Sequence, residues 1–139
     1  KIGKLTFKIA TPTTVGLIHA DTDITNVLLN ETIDYKGNSY TLTYIGNEAF
    51  YKCTSLTKIT IPESVTTIAS SSFGGCPIET AIIPATACSA FGNNNLKTVI
   101  ITSGESIGYN AFYDSEKMFI KNILSHACDT PKCFLIKLE

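Results

Sequence analysis

The apolar positions of this chain recur with a long period. From Ile45 the order is I-x3-A-F-x2-C-x2-L-x2-I-x-I-P, carried by Ile45, Ala49, Phe50, Cys53, Leu56, Ile59, Ile61 and Pro62. Ile68, Phe73 and Cys76 repeat the first half 23 residues later, and Ile78, Ala81, Ile83 and Pro84 repeat the second half at a shift of 22. A third copy follows in Ala90, Phe91, Leu96, Val99 and Ile101, and a fourth opens with Ile107, Ala111 and Phe112. Self-similarity at a period of this length marks a stacked-repeat architecture. Within each unit, L-x-x-I-x-I predicts a short strand whose alternate side chains face inward. The Ala-Phe segment then returns across the opposite side. Pro62 and Pro84 end their strands, because proline has no N–H to continue a ladder.

Ile24, Val27 and Leu29 keep the spacing of Leu56, Ile59 and Ile61 and predict the first rung. Between that strand and Ile45, Gly37-Asn38 is flanked by Ile33, Tyr35, Tyr40 and Leu42, the pattern of a two-residue hairpin. This turn would pair Tyr35 with Tyr40 and Ile33 with Leu42, with all four side chains on one face covering an end of the stack. Leu5, Phe7, Ile9 and the stretch from Val15 to Ile18 predict further capping strands. Rung three is expected to be distorted, because Pro84 to Phe91 is four residues shorter than Pro62 to Phe73.

The expected architecture is a single β-rich leucine-rich-repeat solenoid over residues 1–139, with one short parallel strand per repeat and short helical or irregular returns. Residues 1–44 form an N-terminal cap and first rung with a hairpin insertion, 45–114 the repeats, and 115–139 a degenerate repeat or C-terminal cap. In that tail, Met118, Phe119 and Ile120 suit a shortened fourth strand, and Cys133 to Leu138 alternates like a last strand closing the core; the pattern does not choose between them.

Ala-Phe, a Cys three residues after the Phe and a strand ending in Ile-Pro together resemble the BspA-like family of leucine-rich repeats. The likeness runs from Ile24 to Phe112, strongest from Ile45 to Ile68, and departs from the pattern where Asn94 and Ser115 stand in place of Cys. It implies a surface-exposed or secreted bacterial or protozoan protein, associated with adhesion to host or matrix proteins and without catalytic activity.

Composition narrows the chemistry. The 139 residues carry a formal net charge of −1, which gives no phosphate-binding surface and argues against nucleic acid. No apolar run reaches the roughly 18 residues of a membrane helix. Lys1 to Ala10 lack a signal peptide's hydrophobic stretch, and with Lys1 in place of a starting Met the chain reads as a processed or cloned fragment. Five cysteines cannot all pair within one chain.

Gly104-Glu105-Ser106-Ile107-Gly108 matches the G-x-S-x-G nucleophile elbow, but Ile107 and Gly108 align with Ile45 and Gly46, the ordinary turn into an Ala-Phe segment. No catalytic residue is assigned. His126, Cys128 and Cys133 offer ligand chemistry without the fourth group zinc needs; Cys128 and Cys133 read equally as a loop disulfide, buried thiols or surface residues. Cys53 and Cys76 read as small core hydrophobes. Asp21-Thr22-Asp23 lacks the further oxygens of a calcium loop and reads as a solvated turn. Asn30-Glu31-Thr32 is a glycosylation sequon, of consequence only in a eukaryote. No metal or cofactor is expected.

The repeat frame instead points outward-facing strand residues into columns on one continuous face. Asn26, Lys58, Thr80 and Thr98 form one, and Leu28, Thr60, Ile82 and Ile100 the next. Leu28, Ile82 and Ile100 have no core to fill from there, so these eight residues are the candidate binding strip for a protein partner, a host or extracellular-matrix protein. A glycan is the alternative ligand, with Tyr51 and Tyr113 as aromatic platforms, and a structural spacer in a longer surface protein is a third reading.

Overall fold

The computed structural model describes residues 1–91 and 96–104 and the backbone of Phe119–Asn122. The elements run β1 (Leu5–Ile9), β2 (Thr14–Ala20), β3 (Asn26–Leu28), β4 (Thr32–Tyr35), β5 (Asn38–Ile45), β6 (Lys58–Thr60), β7 (Thr67–Ile68), β8 (Thr80–Ile83), a 3-10 helix (Ala85–Phe91), β9 (Thr98–Ile101) and β10 (Phe119–Asn122). They form two sheets. One is wholly parallel, in the order β10-β9-β8-β6-β3. The other is mixed, in the order β1-β2-β5-β4, with β7 also paired to β5.

The parallel sheet follows from the repeat. Val27, Ile59, Ala81 and Val99 are in register across four strands, each no more than 4% exposed, and Ile83 and Ile101 pair in the same way. A strand of three or four residues buries too little alone, so each rung is held by its neighbours. The phenylalanines stack on the return side. Phe50 and Phe73 lie 5.2 Å apart between centroids and Phe73 and Phe91 4.7 Å, with interplanar angles of 18° and 19°. Residues of both sheets share one buried core.

Three features differ from the sequence expectation. The hairpin turn is Lys36-Gly37, not Gly37-Asn38: Tyr35 pairs with Asn38 and Ile33 with Tyr40. Lys36 and Gly37 have φ of 50° and 79°, the two consecutive positive values of a type I′ turn, and Asn38 already belongs to β5. The expected Tyr35–Tyr40 and Ile33–Leu42 pairs therefore do not form. Because the shift is by two residues, inward and outward sides are preserved. Ile33, Tyr40 and Leu42 are buried, whereas Tyr35 is 45% exposed.

The second difference concerns Val15 to Ile18, expected as a capping strand. β2 instead pairs in parallel with β5, with Leu17 beside Ile45, and Ile45 lies beside Ile68 of β7. The Ala20 N–H donates to Ala49 O just as the Phe50 N–H donates to Ser72 O. Ala20 thus holds the position of the phenylalanine, and β2 supplies the return half of the rung completed by Ile24, Val27 and Leu29. β1 runs antiparallel along the other side of β2.

The third is the form of the distortion in rung three. The short connection after Pro84 winds into the 3-10 helix, which buries Ala85, Ala87 and Cys88 and still delivers Phe91 to the ring stack. The tail contributes β10, whose Phe119 and Ile120 pair with Thr98 and Val99, so the fourth strand lies at Phe119–Asn122. The expected strand from Cys133 to Leu138 lies outside the described residues.

Candidate functional site

The eight outward positions fall into the columns the spacing requires. Asn26, Lys58, Thr80 and Thr98 are paired in sequence across β3, β6, β8 and β9, and Leu28, Thr60, Ile82 and Ile100 form the adjacent row. Register is strict because a slip by one residue would expose the Val27-Ile59-Ala81-Val99 column. Asn26, Leu28 and Lys58 are exposed; Thr60, Thr80, Ile82, Thr98 and Ile100 are partly exposed. Leu28 stands out at 71% exposure. The backbone register continues both rows onto β10, at Phe119 and Lys121. Sequence reasoning did not assign those two positions. The signal is the step of 21 residues from Val99 to Ile120, obscured because Met118 suits the start of a strand as well as Phe119 does.

One edge of this face carries an ion pair, Lys97 Nζ to Glu79 Oε1 at 2.7 Å, between positions that flank the strands. Both partners are largely exposed, so the pair adds little stability. Across β3, β6, β8 and β9 the face is polar and uncharged along its first column except at Lys58, with an aliphatic second column broken by Thr60.

Other candidate chemistry is accounted for structurally. Asp21 accepts from Lys1 Nζ at 2.7 and 2.8 Å, and Asp23 from Lys4 Nζ at 2.7 Å. The Lys4 hydrogen bond holds the Asp23 carboxyl below its ordinary value. Both carboxylates of the Asp21-Thr22-Asp23 turn are thus taken by lysines, and no cluster of three metal-ligating side chains occurs among the described residues. Gly104 has a φ of 103°, and a Cβ there would stand 2.6 Å from that of Ala85. Glycine is required for that close approach, which explains the first position of the G-x-S-x-G match without any nucleophile; Ser106 itself lies outside the described residues, as do His126, Cys128, Cys133 and Tyr113. Tyr51 is 46% exposed, with the Lys52 ammonium 5.1 Å from its ring centroid, but it sits on a return segment away from the strand columns.

Cys53 and Cys76 are core residues, and Cys88 joins them. The Cys76 thiol donates to Phe50 O at 2.9 Å, and the Cys53 thiol reaches Asp21 O at 3.7 Å. Burial pushes the Cys53 thiol up, that of Cys76 to about 11 and that of Cys88 to about 12, from an ordinary value of 9.0. A thiolate is the reactive form, so these groups are inert while the chain is folded. We expect iodoacetamide at pH 8 to leave all three unmodified in the native protein and to alkylate them in denaturant; equal rates in both states would contradict the burial. The unfolded thiols ionise near 9 and the folded ones at higher pH, so their contribution is complete below about pH 9 and is lost as pH rises towards 11–12.

Stacked rungs, each with one short parallel strand and an inward aliphatic column, define a leucine-rich-repeat protein. The chain belongs to the BspA-type leucine-rich repeat family, whose model matches residues 30–118 in 6 copies. The fold is similar to that of a leucine-rich repeat protein from Bacteroides ovatus known from a crystal structure, with a TM-score of 0.53 and 23% identity over 88% of this chain. The match spans 37% of that protein's length. No curated protein matches this chain. Among the described residues, no helix is long and apolar enough to cross a membrane.

Proposed function

We propose that this chain is a non-catalytic protein-binding or adhesion module of a bacterial cell-surface or secreted protein, and that it contacts its partner through Asn26, Leu28, Lys58, Thr60, Thr80, Ile82, Thr98 and Ile100. The observation that carries this reading is the in-register row Leu28-Thr60-Ile82-Ile100 on the outward side of a parallel sheet, where three aliphatic side chains have no core to fill. A patch shared by adjacent rungs is the arrangement expected of an interface, in contrast to scattered surface aliphatics. We read the stack as a solenoid, with β1 and the β4–β5 hairpin as its N-terminal cap. What the family resemblance implies supports a surface or secreted location and a host or matrix partner.

A screen of the chain against extracellular-matrix proteins and a glycan array tests the class of ligand. Binding to a protein and to no glycan is the expected result. A glycan ligand would move the site to exposed tyrosines such as Tyr51, and no ligand of either kind would favour a spacer role.

A further inference from the structure

Cys53 and Cys76 hold the same position in adjacent rungs, each following the phenylalanine of its return segment at the same interval. Hydrogen bonds tie the two segments together just before the pair: the Phe50 N–H donates to Ser72 O at 2.8 Å and the Lys52 N–H to Gly74 O at 2.9 Å. The approach stays close up to the cysteines, since a Cβ on Gly75 would lie 3.7 Å from the Lys52 Cα. Phe50 O accepts from both residues, from Cys53 N at 3.1 Å and from Cys76 Sγ at 2.9 Å. Both side chains are buried and both thiols are free. Segments paired in this way run about 4.7–4.9 Å apart, inside the roughly 4.4–6.8 Å between Cα atoms that a disulfide spans.

We propose that Cys53 and Cys76 form a disulfide between the two rungs when the chain folds in the presence of a disulfide oxidant, and that the closed core then preserves whichever redox state folding left. While the segments are still open, the Cys53 thiolate attacks the oxidant's disulfide and displaces one thiolate. The Cys76 thiolate then attacks the Cys53 sulfur and displaces the second. Two protein thiols lose two protons and two electrons, and the oxidant's disulfide becomes two thiols. The new bond gives up the Cys76 Sγ–Phe50 O contact, and that carbonyl keeps the Cys53 N–H.

Once the rungs close, burial holds any remaining thiols protonated and out of reach of an oxidant, so a chain folded reduced stays reduced. A disulfide formed earlier is shielded from reductants in the same way. Cys88 does not share the register. It lies in the 3-10 helix before Phe91 and its thiol faces Pro84 O at 3.9 Å, while Asn94 holds the position equivalent to Cys76. This device is independent of the strand-face site.

The test refolds the reduced 139-residue chain from urea, once with reduced glutathione alone and once with a mixture of reduced and oxidised glutathione. Cysteine pairs are then mapped by mass spectrometry of peptides cut without reduction. In the mixture the Cys53–Cys76 peptide is expected to exceed Cys76–Cys88 by about fivefold or more, although the shorter loop of the latter pair is favoured by chain entropy. The linked form should melt about 5–10 °C above the reduced one, and Cys76→Ala refolded in the mixture should show no such rise. The native reduced chain, left in the same mixture for the time refolding takes, should stay unlinked. The proposal fails if the Cys53–Cys76 peptide is absent or no more abundant than Cys76–Cys88. It fails equally if the native chain links as fast as the refolding one, or if Cys76→Ala keeps the rise in melting temperature.

Discussion

Phe73→Ala is expected to lower the unfolding free energy by about 4 kcal/mol, measured by urea denaturation at neutral pH. Phe73 is 3% exposed and sits between the rings of Phe50 and Phe91, so its removal opens a cavity that faces both neighbouring rungs. Aromatic pairs add about 0.5–1.5 kcal/mol each beyond the area they bury, and here two pairs vanish together. In a stack stabilised by nearest-neighbour contacts, a defect at an interior rung weakens the coupling on both sides. Phe73→Leu keeps most of the volume and should cost well under half as much. A loss below about 1.5 kcal/mol for the alanine variant would mean that the rings do not form a structural column.

Ile82→Pro and Ile82→Lys separate backbone from side chain at one position. Ile82 lies in β8, paired on one side to β6 and on the other to β9, and its carbonyl accepts from Ile61 N at 2.9 Å. Residue 80 faces the same neighbour, since Thr80 N donates to Thr57 O, so the Ile82 N–H also faces β6. Proline there removes a donor from an interior strand and crowds its partner, at a cost of about 3 kcal/mol. Lysine keeps the ladder and projects outward, and should cost less than about 1 kcal/mol. Equal destabilisation by the two would place the Ile82 side chain inside the core and contradict the assignment of the outward face.

What could be read from the sequence depended on how regularly each feature repeats. The register of Asn26, Lys58, Thr80 and Thr98 followed from the same internal spacing of inward residues in every strand, because only one alignment of the strands keeps those residues buried. The rung formed by β2 was not legible, since Ala20 replaces the phenylalanine that marks the other returns. The hairpin was legible as a hairpin but not in its register: Gly37 fits either turn, and the choice fell on Lys36 adopting a positive φ, which no side-chain pattern signals. A cleft between Phe7, Val15, Ile33 and Tyr40 was hidden for a different reason: its walls come from β1, the residues before it, β2 and the hairpin, which meet only in three dimensions.

The outward residues of the parallel sheet are proposed to make the contact with a partner. The most direct measurement compares the wild-type chain with the Ile82→Lys, Ile100→Lys double variant against whichever matrix protein the screen returns, after matching their thermal stabilities. The double variant is expected to fold as well as the wild type and to bind at least tenfold more weakly. A variant equally stable and equally tight would contradict it, and would move the binding site off the strand face.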